Sequence, residues 1–204
     1  MNWRKIPKDK AKQPPGKDYT AWKEIIAEEC YHQCVYCSIH ETPWGGIDNF
    51  HIEHYKPKKK FAQLALDICN LFYACPICNR FKSDDWPGDP LPDLSNPSYP
   101  NPSEHDFKDY FDYDRQTSLL SGKNVAANYV LERLYLNRPQ LINERREYIL
   151  SQQEDQLRHE LRDFIDKIDD NDLLKQAIKA LDHLLDLKQA RTSIRPYSLN
   201  DIRR

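Results

Sequence analysis

Residues 34–37 read Cys-Val-Tyr-Cys and residues 75–78 read Cys-Pro-Ile-Cys, so the chain carries two C-x-x-C pairs. Each pair can place two thiolates on one side of a turn, and two such turns complete the tetrahedral sulfur site of a structural zinc ion. The alternatives are a redox motif, which needs only one pair, and buried reduced thiols, which Cys30 and Cys69 resemble. The spacing favours a closed structural Zn²⁺ site, with no position for a catalytic water. Its ligands would be Cys34, Cys37, Cys75 and Cys78.

The composition around these pairs is that of a polar globular protein. The chain has 204 residues, of which 39% are hydrophobic, 30% charged and 11% aromatic. This length predicts one domain with an attached region, and the aromatic content excludes a disordered chain. No stretch approaches the roughly eighteen apolar residues of a transmembrane helix. Residues 1–17 are basic without an apolar run, so we expect no secretory signal and no membrane, and a cytoplasmic location.

Charge is distributed unevenly, although the formal net charge is only −2. Residues 1–17 contain six Lys and Arg against a single acid. A second basic cluster, of Lys56, Lys58, Lys59 and Lys60, lies between the two C-x-x-C pairs. Residues 84–114 are acidic, with nine Asp and Glu and one Lys. Basic patches beside a candidate site indicate an anionic substrate, and the alternative interpretation is an ordinary solvated charged surface.

The pattern between the pairs predicts two short strands and a helix. A strand over residues 50–55 would point Glu53 and His54 to opposite sides, so a bulge or a strand end would have to bring both to one site. A second strand is expected at Leu71–Ala74 and a helix from Asn79 onward. We divide the chain into a basic segment with a helix at 1–29, a zinc-binding core at 30–86, a proline-rich acidic connection at 87–120 and a helical region at 121–204.

The helical region carries two apolar stripes at helical spacing. They are expected to form a core or a partner surface, and Asn171-Asp172 supplies a break and a cap between the two helices. The first stripe consists of Ile142, Ile149, Leu157, Leu161, Phe164 and Ile168, and the second of Leu174, Ile178, Leu181 and Leu185.

Residues 30–86 resemble the HNH endonuclease family in its zinc-binding, treble-clef ββα-metal form. The resemblance is carried by the two C-x-x-C pairs, by the runs Glu53-His54 and Pro57-Lys58, by Asn70-Leu71, and by Asn79 and Lys82 after the second pair. It implies an α+β fold, namely a zinc-stapled ββα core with an α-helical C-terminal region. Residues 126–146 are similar to the tail of HNH proteins from retron and Septu-type bacterial antiphage systems.

The HNH resemblance assigns a role to each matching position. His54 corresponds to the histidine that activates the attacking water, Glu53 to a ligand of the catalytic ion, and Asn70 to the residue that holds the loop between the strands. Asn79 corresponds to a second ligand of that ion, which the oxygen donors predict to be Mg²⁺ or Mn²⁺. Candidate nucleic-acid contacts are Lys56, Lys58, Arg80 and Lys82.

Two neighbouring positions have open assignments. Ser83 stands where some relatives place a further ligand histidine, which implies that water completes the ion's coordination. His51 lies two positions before Glu53, either on the same strand face within reach of the ion's ligands or as strand surface or core.

Two functions compete. The favoured one is a metal-dependent endonuclease acting on nucleic acid, with DNA favoured over RNA, as the effector of an antiphage defence system. The second resemblance implies a partner ATPase in trans, since the chain contains no G-x-x-x-x-G-K motif. The alternative is a catalytically silent zinc-knuckle module that binds nucleic acid or acts as an adaptor.

Overall fold

The chain forms two compact units, Met1–Asn137 and Arg138–Arg204. The structure is a computed structural model that describes residues 3–16, 18–165 and 171–192. The first unit holds short helices and two small sheets, and the second is built from two long helices. Among the helices of the described residues, none has the length and apolar character needed to cross a membrane.

The first unit alternates short helices with two antiparallel hairpins. The helices are α1 (Lys23–Glu29), α2 (Gly46–Asn49), α3 (Pro76–Lys82) and α4 (Val125–Arg133). The strands are β1 (His51–His54), β2 (Leu71–Ala74), β3 (Phe111–Tyr113) and β4 (Leu120–Gly122). β1 pairs with β2 and β3 with β4. The order β1, β2, α3 gives the predicted strands and helix around the cysteine pairs.

The β1–β2 hairpin is regular. His51 lies opposite Ala74 and His54 opposite Leu71, with continuous pairing between them. Every residue of β2 is buried, which agrees with the strand predicted at Leu71–Ala74. Continuous pairing means that no bulge separates Glu53 from His54, so these neighbours leave the strand on opposite sides.

Helix α3 begins at Pro76, three residues before the predicted start at Asn79, and the prediction is therefore wrong at this end. Proline is favoured in the first turn of a helix because its fixed φ is already helical and its missing N–H is not needed there. The side chain of Cys75 caps the helix by accepting a hydrogen bond from the Cys78 N–H at 3.4 Å. Asn79 consequently lies in the middle of α3.

The core of the first unit is aromatic, and its tyrosines keep hydrogen-bond partners. Tyr36, Tyr73 and Tyr99 are fully buried together with Phe50 and Phe72. The hydroxyl groups of the three tyrosines donate to Glu53, Glu41 and Asp85 respectively. A buried phenol needs such a partner because an unpaired hydroxyl costs about 1–3 kcal/mol. These bonds connect the core to the acidic groups around it.

The proline-rich stretch after α3 packs into this core. It contains no α-helix, as predicted, and it supplies the buried Tyr99 and Phe107. Asp85, just beyond α3, accepts hydrogen bonds from Tyr99 at 2.7 Å and from Tyr129, and pairs with Arg133 at 3.2 Å. Although burial raises the pKa of Asp85, these hydrogen bonds and the Arg133 charge hold it below its usual value. This cluster joins α4 to the end of α3.

The second unit consists of α5 (Pro139–Ile165) packed on α6 (Asn171–Thr192). The start of α6 at Asn171 agrees with the predicted break. Of the two alternatives for the second stripe, the core is wrong, because the stripe is 44–55% exposed, and the partner surface stays a prediction. Among residues 172–188 of α6, Ala177 and Leu184 are buried, and they lie one residue away from members of that stripe. Ile168 of the first stripe lies outside the described residues. The exposed members are Leu174, Ile178, Leu181 and Leu185.

Candidate active site and metal centre

Four cysteine thiols meet at one point in the first unit. The Sγ atoms of Cys34, Cys37, Cys75 and Cys78 all lie within 4.8 Å of one another, and all four residues are buried. The Cys37 and Cys75 sulfurs are 3.7 Å apart. A tetrahedral ion with Zn–S bonds of about 2.3 Å places its sulfurs about 3.8 Å apart. The cluster therefore fits a zinc ion, and Cys30 and Cys69 lie outside it, as predicted.

The chemistry of the cluster also suits a cation, because a bound ion would let the buried thiols ionise. Burial raises the pKa of the Cys34 and Cys78 thiols well above the ordinary value. All four cysteines are free of disulfides. Four buried thiolates are unstable together unless a cation offsets their charge, which is what a bound Zn²⁺ does. A structural zinc ion would fasten the turn at Cys34 to the start of α3.

The carboxylate of Glu53 lies in a buried ion pair. Its Oε1 is 2.5 Å from the Nζ of Lys82 and accepts a hydrogen bond from the Tyr36 hydroxyl at 3.3 Å. Burial raises the pKa of Glu53, and the Lys82 charge and both hydrogen bonds offset part of that effect. Both contacts fall on Oε1, so Oε2 is the oxygen that could ligate an ion.

The prediction that Lys82 contacts nucleic acid is wrong. Its side chain is fully buried, and its ammonium also donates to the backbone carbonyl of His54 at 2.9 Å. A group enclosed between α3 and β1 has no access to a phosphate in solution. Lys82 instead joins the helix to the strand and supplies the counter-charge for Glu53.

His54 is held in one tautomer by the loop that follows β1. Its Nε2 lies 3.1 Å from the carbonyl oxygen of Ala65. A carbonyl only accepts, so Nε2 must carry the hydrogen and Nδ1 keeps the lone pair. Burial lowers the pKa of His54; the hydrogen bond to Ala65 raises it in part, and the Lys58 and Lys82 charges lower it by smaller amounts. His54 is therefore a neutral imidazole with a basic Nδ1 at neutral pH.

Asn70 holds that loop in place. Its Oδ1 accepts from the Lys56 N–H at 2.7 Å, and its Nδ2 donates to the carbonyls of Lys56 at 3.0 Å and Leu64 at 3.2 Å. The side chain thereby bridges both ends of the loop that carries the Ala65 carbonyl. Asn70 therefore fixes the loop backbone next to Ala65, and the role that the HNH resemblance implies for it stays a prediction.

An open cleft of about 570 Å³ brings together three of the four predicted catalytic residues. Glu53 and His54 both border it although they leave β1 on opposite sides, because His54 is the last residue of the strand. Asn79 lines the cleft from α3, His51 lines it from β1, and Ser83 lines it from the residue after α3. The carboxylate of Glu53 and the amide oxygen of Asn79 are hard donors that suit Mg²⁺ or Mn²⁺ with water as the remaining ligands. The residues present fit such an ion.

The remaining predicted contacts divide between the cleft and the surface beside it. Lys58 and Arg80 line the cleft, where they can meet a phosphate. Lys56 pairs with Asp89 at 2.6 Å and is not among the residues that line the cleft.

Three residues that line the cleft come from a segment for which the sequence predicts no site. Tyr19, Thr20 and Lys23 precede the first cysteine pair. The ring of Tyr19 meets the ring of His54 edge to face, with centroids 4.8 Å apart at 85°. The basic composition of residues 1–17 was the only nearby signal, and it identified none of these three residues.

Residues 34–85 match the family model described as HNH endonuclease. The matched range contains both cysteine pairs, the β1–β2 hairpin and α3, and the match indicates nuclease activity on nucleic acid. It ends before residue 126, so the resemblance of residues 126–146 to retron and Septu-type proteins stays a prediction. Neither the curated proteins nor the solved structures contain a match to this chain.

Proposed function

We propose that the protein is a metal-dependent endonuclease that hydrolyses phosphodiester bonds in DNA. The observation that carries the proposal is the state of His54, whose Nε2 is bound to the Ala65 carbonyl and whose Nδ1 is left as a base. This imidazole borders the same cleft as the oxygen donors Glu53 and Asn79. A base beside two hard ligands is the arrangement that phosphodiester hydrolysis needs.

In the proposed mechanism Nδ1 of His54 takes the proton of the attacking water. Burial favours the neutral ring before the reaction, and Asn70 and the Ala65 carbonyl keep the ring in place during it. A divalent ion held by Glu53 and Asn79 would supply Lewis-acid stabilisation of the scissile phosphate. Lys58 and Arg80 would bind the phosphates of the strand.

The zinc ion has no part in this chemistry. Four thiolates fill a tetrahedral coordination sphere and leave no position for water or substrate. Its contribution is to hold the turn at Cys34 against the start of α3, and so to keep Asn79 on its helix facing the cleft.

The experiment that tests the proposal is cleavage of a supercoiled plasmid with Mg²⁺ or Mn²⁺, beside single-stranded DNA and RNA of the same length. We expect nicking of the plasmid that EDTA abolishes and slower cleavage of RNA. His54→Ala should remove the activity, while His159→Ala, which changes an exposed histidine of the second unit, should not. DNA binding without cleavage under every metal condition would favour the silent zinc-knuckle module instead. Faster cleavage of RNA would overturn the DNA preference.

The cellular role is a further part of the proposal. We propose that the nuclease acts in the cytoplasm as the effector of an antiphage system, with a partner ATPase. The support is the resemblance of residues 126–146 and the lack of a G-x-x-x-x-G-K motif in the chain. Co-purification with the product of a neighbouring ATPase gene, and loss of phage protection in a His54→Ala strain, are the expected results. Protection that persists in that strain would contradict the effector role.

A further inference from the structure

The cleft has a wall that lies outside the residues matched by the HNH model. This wall is a 3-10 turn, Tyr19–Trp22, followed by the first residue of α1, Lys23. Tyr19, Thr20 and Lys23 border the cleft, whereas the match begins at residue 34. The general properties of the matched domain therefore do not account for these side chains.

The wall is held firmly at both ends. Asp18 caps the turn by accepting hydrogen bonds from the Thr20 N–H at 2.9 Å and the Thr20 hydroxyl at 2.6 Å. Trp22 is buried, with 2% of its surface exposed, and its indole N–H donates to the carbonyl of Pro15 at 3.3 Å. A capped turn with a buried tryptophan keeps its remaining side chains in defined positions.

Tyr19 contacts His54 and Lys58 at once. Its ring meets the His54 ring edge to face at 4.8 Å, and its hydroxyl accepts a hydrogen bond from Lys58 Nζ at 2.7 Å. The same ammonium lies 5.1 Å from the centre of the tyrosine ring. The Ala65 carbonyl restrains only one edge of the imidazole, so the tyrosine supplies a second restraint on the direction of Nδ1.

Lys23 adds a positive charge to the same wall. It is half-buried, and its Nζ donates to the carbonyl of Asp48 at 3.3 Å. This contact is with a neutral oxygen and so offsets none of the ammonium's charge. Together with Lys58 and Arg80 it gives the cleft three cations, which suits a polyanionic strand.

We propose that the segment Tyr19–Lys23 is a functional part of the nuclease site, in which Tyr19 is a positioning residue for His54 and Lys23 contacts the nucleic-acid backbone. This inference builds on the proposed endonuclease function and extends the site beyond the matched domain. It names no further catalytic group, since Tyr19 acts through His54.

The test of Tyr19 separates turnover from substrate binding. Tyr19→Ala should lower kcat for plasmid nicking by on the order of tenfold to a hundredfold with little change in KM, because a displaced base loses its reacting geometry. Tyr19→Phe keeps the ring and should retain kcat within about threefold. A larger loss of kcat in this variant would show that the hydroxyl is needed rather than the ring. If Tyr19→Ala loses zinc, Tyr19→Leu replaces it as the variant that fills the space without an aromatic ring. A wild-type kcat in a zinc-loaded Ala or Leu variant would overturn the positioning role.

The test of Lys23 is the salt dependence of DNA binding, measured without divalent ions. Lys23→Ala should weaken binding and reduce the slope of log K against log salt by about one. The matched control is Lys10→Ala, which removes an exposed lysine of residues 1–17 that pairs with Asp67 and does not line the cleft. An unchanged slope in Lys23→Ala, or an equal loss in Lys10→Ala, would overturn the backbone contact.

His54→Ala distinguishes this inference from the proposed function. Full cleavage by His54→Ala would contradict the catalytic assignment itself and with it the role of Tyr19. An inactive His54→Ala beside a fully active, zinc-loaded Tyr19→Ala would leave the endonuclease assignment standing and overturn only the role of the tyrosine.

Discussion

The region around the cleft and the helical second unit are stabilised in different ways. In the first, buried polar groups pair individually: Glu53 with Lys82, Asn70 with the loop backbone, and four thiols with one another. In the second, two long helices pack along their length, one buried carboxylate, Glu154, pairs with Arg158 and with Lys188 of α6, and α6 keeps an exposed apolar stripe. Stability that depends on single pairs is lost by single changes, whereas burial spread along two helices is lost gradually.

The largest expected effect is at the zinc cluster. Removing the ion with a chelator, or one ligand with Cys75→Ser, should unfold the first unit, because binding energy of roughly 10–16 kcal/mol in structural zinc sites is folding energy. Circular dichroism with metal analysis measures both. Cys69→Ser is the control and should keep one zinc ion per chain. Folded wild-type protein without zinc, or loss of zinc in Cys69→Ser, would contradict the ligand set.

The next effect is at the buried ion pair. Lys82→Met leaves the Glu53 carboxylate buried without its counter-charge, and we expect the free energy of unfolding to fall by on the order of 3–5 kcal/mol. Urea titration with zinc present measures the change. Lys59→Met removes an exposed pair with Asp84 and should cost less than about 1 kcal/mol.

A second substitution tests whether the unpaired carboxylate of Glu53 causes the loss of stability in Lys82→Met. Adding Glu53→Gln to Lys82→Met removes the unpaired charge, so the double variant should recover part of the loss. Equal destabilisation by Lys82→Met and Lys59→Met would mean that the ion pair is not a buried determinant of stability.

A smaller effect is expected in the second unit. Leu184 is 7% exposed, and Leu184→Ala should lower the free energy of unfolding by about 2 kcal/mol or more. Leu181 is 44% exposed, and Leu181→Ala should change the free energy of unfolding by no more than about 0.5 kcal/mol. Thermal unfolding followed by helical circular dichroism compares the two. The reverse order would show that the stripe predicted from the sequence is the packed face after all.

The smallest expected effect is a shift with pH. The folded pKa of His54 lies below the ordinary histidine value of 6.5 because burial disfavours the charged ring. Between the folded and the unfolded pKa of His54, the unfolded chain binds more protons than the folded one. The stability that His54 contributes is therefore present above pH 6.5 and is lost as the pH falls toward the folded pKa.

Activity should also fall as the pH falls. The acid limb of the pH–rate profile should be centred below pH 6.5, because the His54 base stays neutral down to its lowered pKa. A His54→Asn variant should show less of the stability change between pH 7 and pH 5. An acid limb above 6.5 would contradict the neutral, buried imidazole.

The parts of the site that could be predicted are those with rigid chemical requirements. Two C-x-x-C pairs have few uses, so the sulfur cluster followed from spacing alone. The HNH resemblance placed Glu53, His54 and Asn79, and the structure brings all three to one cleft.

What could not be predicted depends on tertiary packing. A lysine one turn after Asn79 gives no sign in the sequence that it turns inward to Glu53. Tyr19 precedes His54 by many residues, and no spacing rule connects them. On α6, leucines occur on adjacent positions such as Leu184 and Leu185, so periodicity alone does not decide which of them is buried.

The most direct test of the central claim is the rate of plasmid nicking by zinc-loaded His54→Ala at saturating Mg²⁺. We expect a fall of about 10²–10⁴-fold, the usual contribution of a general base, with plasmid binding and zinc content unchanged. A rate within a few-fold of wild type, from protein shown to hold its zinc, would contradict the assignment of His54 as the base and the mechanism built on it.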